Sequence, residues 1–474
     1  MTTVISPRSR IHFAFLSVVF LAAFSIAVVL SAYWLLLIPF GFLLFYFSWQ
    51  SPQLLFYLLI LSLPWSVEFN FNSSLGTDLP DEPLMWMLTG LFMCIVLFDR
   101  FLTSVQRRHP LIMLLTIYYA WIIITIPFST DWLVSLKFSL AKGWYVVAFV
   151  LWPLVIFQSK KQLKVTGVLF LVSILVVAII IFCRHTAYGL TFASVNKAAA
   201  PFFRNHVNYS AMLVCAAPVL VAAWQLNKAL RLLIFAGMLF VLTALIFSYS
   251  RGAWAALLVG LISYWLISKK RLLVAFTISI LLIVASVFWL SRNDHYLRFA
   301  NDFRATIFHT NFKEHIIATY RLKDISTAER FNRWVAGTRM IKDNLVTGFG
   351  PGTFYNNYKP YQVPAFKTWV SNNREHSTVH NYFLLITIEQ GLPGLLFFLL
   401  LAAAMLFYSE TLYHRIADRF YRVAAAACGV LTMSILTVNF LSDLVETDKV
   451  GSIFFLCMAA LMAIDFNARK LAGS

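Results

Sequence analysis

The chain has 474 residues, of which 60% are hydrophobic, 16% aromatic and only 12% charged, and its mean hydropathy is +0.77. A soluble domain carries about twice that charged fraction, so the composition excludes a soluble enzyme or binding module and indicates an integral membrane protein with many spans. The net charge of +18 would suggest nucleic acid in a soluble chain; here basic loops that set orientation account for it, and no nucleic-acid partner is expected.

In chain order, apolar runs of spanning or near-spanning length occur at 12–30, 33–48, 53–66, 83–98, 110–127, 143–158, 165–183, 207–225, 231–248, 252–267, 272–290, 392–408, 422–441 and 449–465. Set against the ~17–25 residues a span needs, they predict an all-α polytopic protein of about 12–14 transmembrane helices. The first run follows Arg8 and Arg10 and lacks an obvious small-residue cleavage site, so it is read as an uncleaved span. Cys94, Cys183, Cys215, Cys428 and Cys457 all fall within apolar runs and read as small packing residues, not as disulfides or metal ligands.

Threaded from a cytoplasmic N-terminus, the basic connections 99–109, 159–164, 226–231, 268–271 and 409–421 share one side, as the positive-inside rule requires, and both termini are cytoplasmic. The other side receives the acidic segments 67–82 and 442–449. Three outer segments break that pattern: 184–206, with Arg184, Lys197, Arg204 and His206; the tight turn around Arg251; and the long piece from 291 to 380. The chain thus divides into N-terminal spans (1–183), central spans with outer arginines (184–290), a large outer loop (291–380) and C-terminal spans (381–474). Short outer loops that keep arginines point to an anion: the guanidinium fork donates paired hydrogen bonds and stays charged. Snorkelling from a helix end is the other reading of Arg204 and Arg251.

Within the long piece, TAERFNRWVAGTRMIKDN reads as a helix whose apolar face is Phe331, Trp334, Val335, Thr338 and Ile341. NLVTGFGPGTF then ends it in a turn rich in glycine and proline. Gly348, Gly350 and Gly352 are read as a structural turn before a phosphate cradle, since no strand precedes them and no acidic ribose partner follows. The whole is expected to form a small lid beside His380.

His380 and Asn381 stand at the entrance to a helix that runs into the apolar stretch 392–408, and a titratable residue so close to a span is costly to keep. At the positive end of a helix dipole the imidazole stays neutral, as a general base for a hydroxyl requires. Capping the helix, or pairing with the lid, is the other reading. His376 lies four residues before it, but Ser377 occupies the place where a zinc-protease motif has glutamate, so a metal reading is set aside. Glu389 lies about two helical turns further on. It is read either as orienting an arginine or substrate, or as a salt bridge at the membrane edge. Gly391 and Gly394 allow close helix approach.

FFRNHVNYSAML, then SRGAW, then ERFNRW followed by GFGPGTF, and finally HNYFLLITIEQGLPG, in that order over 204–394, resemble the O-antigen ligase and polymerase superfamily of bacterial envelope glycosyltransferases. The resemblance implies a C-type glycosyltransferase fold in the inner membrane, taking a glycan from undecaprenyl diphosphate on the periplasmic side. The acceptor is lipid A-core in the ligase branch and a second lipid-linked glycan in the polymerase branch; membrane lipids surround the protein. His380 matches the family's essential histidine, Arg204 and Arg251 match arginines expected to hold the diphosphate, and Asn208 matches an asparagine after the first of them. FRNHVN stands where the family more usually has a small glycine-rich turn. No cofactor or metal is implied, and the expected chemistry is a single inverting displacement. A protein O-oligosaccharyltransferase shares the donor half-reaction. A transporter or flippase would show charge near the bilayer midplane and repeated halves, and neither is evident in the sequence.

Overall fold

A computed structural model describes residues 49–70, 76–98, 100–292, 325–366 and 378–473, together with Val18, Ala22 and Gly41. Apart from those three residues, the runs at 12–30 and 33–48 lie outside the described residues, as does His376. The chain is an all-α polytopic membrane protein. Its helices are α1 (Pro52–Ser62), α2 (Asp81–Phe98), α3 (Pro110–Thr125), α4 (Trp132–Val146), α5 (Lys160–Ala187), α6 (His206–Leu226), α7 (Arg231–Phe247) and α8 (Arg251–Ser268), then α9 (Leu272–Ser291), α10 (Ile325–Asp343), α11 (Tyr382–Arg415), α12 (Arg419–Asn439) and α13 (Asp448–Gly473). Among the described residues nine helices are long and apolar enough to cross a membrane, and α1, α7 and α9 are shorter apolar helices.

Helix starts are written locally. Asp131, Ser159, Asn205, Asn381 and Asp418 each stand just before a helix, and their side chains accept hydrogen bonds from its first free amides. These caps satisfy donors that would otherwise be orphaned at the membrane edge. Small residues then set helix spacing: a methyl added at Gly260 of α8 would lie 2.6 Å from Ser434 Oγ of α12, so the two backbones meet closely. At the centre stands α13, with 89% of its spanning window buried, against α4, α6, α11 and α12. By contrast α9 is exposed along most of its length, as suits a helix facing lipid.

Three segments add to or depart from the expectations. The acidic segment 67–82 contains a hairpin: β1 (Val67–Asn70) pairs antiparallel with β2 (Gly76–Leu79), and Asp81 at the head of α2 is fully buried. The run taken as 143–158 begins eleven residues earlier: α4 starts at Trp132 and continues through a wider turn over Val147–Leu151 to Ile156. Lys142 had marked the apparent edge of that run and is therefore inside the span, 5% exposed. The third concerns α10, which forms as expected but turns another face inward. Ala328, Glu329, Asn332, Arg333, Ala336 and Met340 are buried, whereas Thr338 is exposed. Polar groups occupy that inner face because it borders the His380 site.

The end of the bundle away from His380 is tied by charge. Lys160 pairs with Asp418 at 2.5 Å, and Asp465, fully buried, receives Arg415, Arg469 and the Tyr408 hydroxyl.

Candidate active site

Helix α11 is broken where a continuous apolar helix would be expected. Gly391 has φ 71° and ψ −178°, and Pro393 supplies no amide hydrogen, so the carbonyls before the break lose their helical partners. The glycine-rich loop supplies new ones. Phe349 N donates to Ile388 O and Gly350 N to Glu389 O, both at 2.9 Å, while Leu392 N donates back to Leu345 O at 2.8 Å. Trp121 Nε1 donates to Gln390 O at 2.8 Å. Non-helical backbone at membrane depth is tolerated only when it is satisfied in this way.

Glu389 faces the same loop. Its carboxylate accepts from Gly352 N at 2.9 Å and Phe354 N at 3.1 Å, and the residue is 4% exposed. Gly348, Gly350 and Gly352 all have positive φ, and a side chain at Gly350 would run into Ser129. The loop amides that resemble an anion cradle are therefore turned onto the protein's own carboxylate. These contacts are to backbone amides, partners that the sequence readings of Glu389, as orienting an arginine or substrate or as an edge salt bridge, did not include.

One helix face from α10 docks beside α11. Arg333 Nη1 donates to Thr378 O at 2.7 Å and Trp334 Nε1 to Val379 O at 3.1 Å. A methyl on Gly337 would lie 2.7 Å from Ile388, so α10 and α11 are in close contact. The chain entering α11 is thereby held, and Asn381 caps the helix by accepting from Leu384 N at 3.0 Å. His380 does not cap it. Held between these contacts, His380 adopts φ 53°, a left-handed conformation that is strained for a residue with a side chain and that clusters at functional sites.

The His380 imidazole is 38% exposed, and its Nδ1 lies 4.0 Å from Asp443 Oδ1. Burial, then the positive charges of Arg330 and Arg333, push its pKa down to about 3, so the ring is neutral across the physiological range. Burial, and then the charge of Glu446, push the Asp443 carboxyl up; a hydrogen bond from Thr378 and the charge of Arg204 act in the opposite sense. Arg204, exposed before α6, is thus near enough to Asp443 to act on its charge. Arg251 is the first residue of α8, and a methyl on the adjacent Gly252 would lie 3.7 Å from Leu441, which places this helix end against the turn that carries Asp443.

The structure therefore brings His380, Asp443, Arg204, Arg330 and Arg333 to one end of the bundle, with Arg251 beside the same turn. Asn208 sits in the first turn of α6, four residues after Arg204, and its backbone amide donates to Asn205 Oδ1 at 3.0 Å. Arg184 is not an anion ligand of this group, because its guanidinium donates to the carbonyls of Ala200 and Lys197. Lys449 donates to Phe202 O and Ser66 O and lies 4.6 Å from the Phe203 ring centroid, holding the segment before Arg204.

Asp443, Arg330 and Arg333 were missed as site residues. Asp443 looked like one more acid in an orienting loop, and both arginines lie in ERFNRW on the face not assigned inward. A signal was present: three charged residues inside six, on a helix that must pack on an apolar bundle. Among the described residues no group of three His, Cys, Asp or Glu side chains is placed to hold a metal ion.

Chemically the arrangement offers an uncharged nitrogen base with a carboxylate behind it, surrounded by cations that suit a multiply charged leaving group. No protein of curated function matches the chain. The model of the family described as O-Antigen ligase matches residues 236–399, a stretch that includes Arg251, all of α10, the glycine loop, His380 and Glu389, so this part of the chain is similar to that family and the match supports the resemblance to the O-antigen ligase-like superfamily.

Proposed function

We propose that the chain is an O-antigen ligase that moves a glycan from undecaprenyl diphosphate to lipid A-core at the periplasmic face of the inner membrane. The observation that carries this reading is the neutral His380 imidazole, 4.0 Å from Asp443 and set among Arg204, Arg330 and Arg333. An acceptor hydroxyl attacks the anomeric carbon and gives its proton to the free imidazole nitrogen. The bond from that carbon to the diphosphate oxygen breaks, and its electron pair leaves with the undecaprenyl diphosphate. A single displacement inverts the anomeric centre.

The imidazolium formed is stabilised by Asp443 once the 4.0 Å gap closes; such contacts tighten on substrate binding. Arg204 and Arg251 receive the diphosphate, and charge stabilisation by groups already in place contributes on the order of several kcal/mol. Since the arginines supply this charge, the reaction is proposed to need no metal. General-base assistance by His380 is worth roughly 10²–10⁴ in rate.

The test is transfer in vitro with purified protein, native lipid-linked glycan and lipid A-core, with EDTA, and with His380→Ala alongside. Glycan on lipid A-core, and a folded but inactive alanine variant, support the ligase reading. Lengthening of the lipid-linked glycan alone makes the protein a polymerase, and transfer to a protein acceptor makes it an oligosaccharyltransferase. Full activity of His380→Ala overturns the base assignment.

A further inference from the structure

Among the buried ion pairs of the described residues that the proposed chemistry does not use, the pair of Lys142 and Glu446 stands closest to Asp443 in the chain. Lys142 lies eleven residues into the span Trp132–Ile156, and its Nζ is 2.7 Å from Glu446 Oε2. The lysine side chain is 5% exposed and the glutamate side chain 19%. The rings of Phe138 and Phe455 stand 5.4 and 5.7 Å from the ammonium. A charge held this deep in an apolar bundle is expensive, and an apolar pair of similar volume is often as stable or more so. Stability alone is therefore a poor reason for it.

Its location is more telling. Glu446 belongs to the turn between α12 and α13, three residues after Asp443, and its carboxylate lies near the Tyr382 hydroxyl. Tyr382 is the first residue of α11, two beyond His380. The same turn is pinned from beneath, where Val445 N donates to Asn439 Oδ1 at 3.0 Å and Val445 O covers Gly451 so closely that no side chain fits there. One carboxylate thus connects α4, the turn that carries Asp443 and the helix start that carries His380. Ser135, on the same helix as Lys142, donates to Pro351 O at 2.8 Å, so α4 also supports the glycine loop.

We propose that Lys142 and Glu446 are positioning residues, a buried pair that fixes the separation of Asp443 and His380 without touching substrate. The inference rests on the reading of His380 as the base. A pair with this role sets kcat and leaves donor affinity alone, because the arginines that face the diphosphate are not its partners.

The test is the charge-free double variant Lys142→Met/Glu446→Gln in the full-length protein, with Glu446→Gln alone as a second variant. Glutamine keeps an acceptor for Tyr382 and removes the charge. Expected for the double variant are a thermal midpoint close to that of the unaltered protein, an unchanged donor KM, and a kcat lower by about tenfold or more, since an ångström of misplacement costs on the order of 10²-fold; Glu446→Gln alone, which leaves Lys142 buried and unpaired, should also lower the midpoint. Amide exchange over 440–449, measured without substrate, should speed up in both variants. Wild-type kcat with unchanged exchange in either folded variant overturns the inference. His380→Ala is assayed in parallel: if it transfers at full rate the base reading has fallen, whereas if it is inactive while the double variant is fully active, only the positioning role has.

Discussion

The carboxylate of Glu389 accepts a hydrogen bond from the backbone amide of Gly352 at 2.9 Å, joining a broken membrane helix to the loop folded over the break. The second oxygen takes Phe354 N at 3.1 Å, so both acceptors are used inside a site that is 4% exposed. Glu389→Gln keeps the shape but offers one acceptor oxygen and turns an NH2 group toward the other amide. One buried N–H then lacks a partner, which costs about 1–3 kcal/mol. The expected outcome is a lower thermal midpoint of the purified protein and faster amide exchange over 348–354. An unchanged midpoint and unchanged exchange would mean that these two bonds hold nothing.

Gly391 is the other half of that junction. At φ 71° and ψ −178° it occupies a region that is essentially open to glycine alone, and a methyl group would strike the carbonyl of Val346. Gly391→Ala should therefore cost more than the 1–3 kcal/mol of local strain and reduce the yield of monodisperse protein in detergent. Gly237→Ala in α7 is the control, because its methyl would meet only Leu220 and Leu175 at 3.7 and 3.9 Å. Equal yields of the two variants would show that the break at Gly391 is not obligatory.

These two positions also mark how far the sequence could be read. Spans were legible because the bilayer imposes one length and one polarity on every helix, so apolar runs and basic loops suffice. His380 drew attention as a candidate because a titratable group beside a span stands out. The partners of Glu389 were not, since they are backbone amides of a loop about 35 residues earlier, and an amide carries no residue-type signal. Asp443 and Arg330 were hidden for another reason. The first was absorbed by the charge rule for outer loops. The second lies on a helix whose inner face is polar, which is the reverse of what apolar periodicity seeks. Lys142 was lost to a helix boundary, because a lysine at the edge of an apolar run reads as the end of the span.

Arg204 and Arg184 allow ligand binding to be separated from support. Arg204 is exposed and acts on the charge of Asp443, whereas Arg184 donates to backbone carbonyls of Ala200 and Lys197. Arg204→Lys keeps the charge and loses the fork, so donor KM should rise several-fold with kcat nearly kept. Arg184→Lys should loosen residues 197–204 and raise their amide exchange even with no donor present. Titration of transfer rate against lipid-linked glycan, with exchange mass spectrometry of the same preparations, distinguishes the two. If Arg204→Lys leaves KM untouched, Arg204 is not a diphosphate ligand.

Arg330 tests the electrostatics of the base. Burial holds the pKa of His380 down to about 3, with Arg330 and then Arg333 adding to the effect. An ordinary histidine titrates near 6.5. Between these two values the unfolded chain binds a proton at this ring that the folded protein does not. Stability therefore falls as pH drops from about 6.5 toward 3, and nothing more is lost below that. The same shift means that protonation of His380 does not limit transfer at mildly acidic pH, so the acid limb of kcat/KM that belongs to this ring lies well below 6.5. Arg330→Gln removes a positive neighbour without emptying its volume. The pKa of His380 then moves up, and the acid limb moves to higher pH with it. A pH profile of transfer for both proteins reads this directly. Superimposable acid limbs would mean that Arg330 does not act on the group that takes the proton.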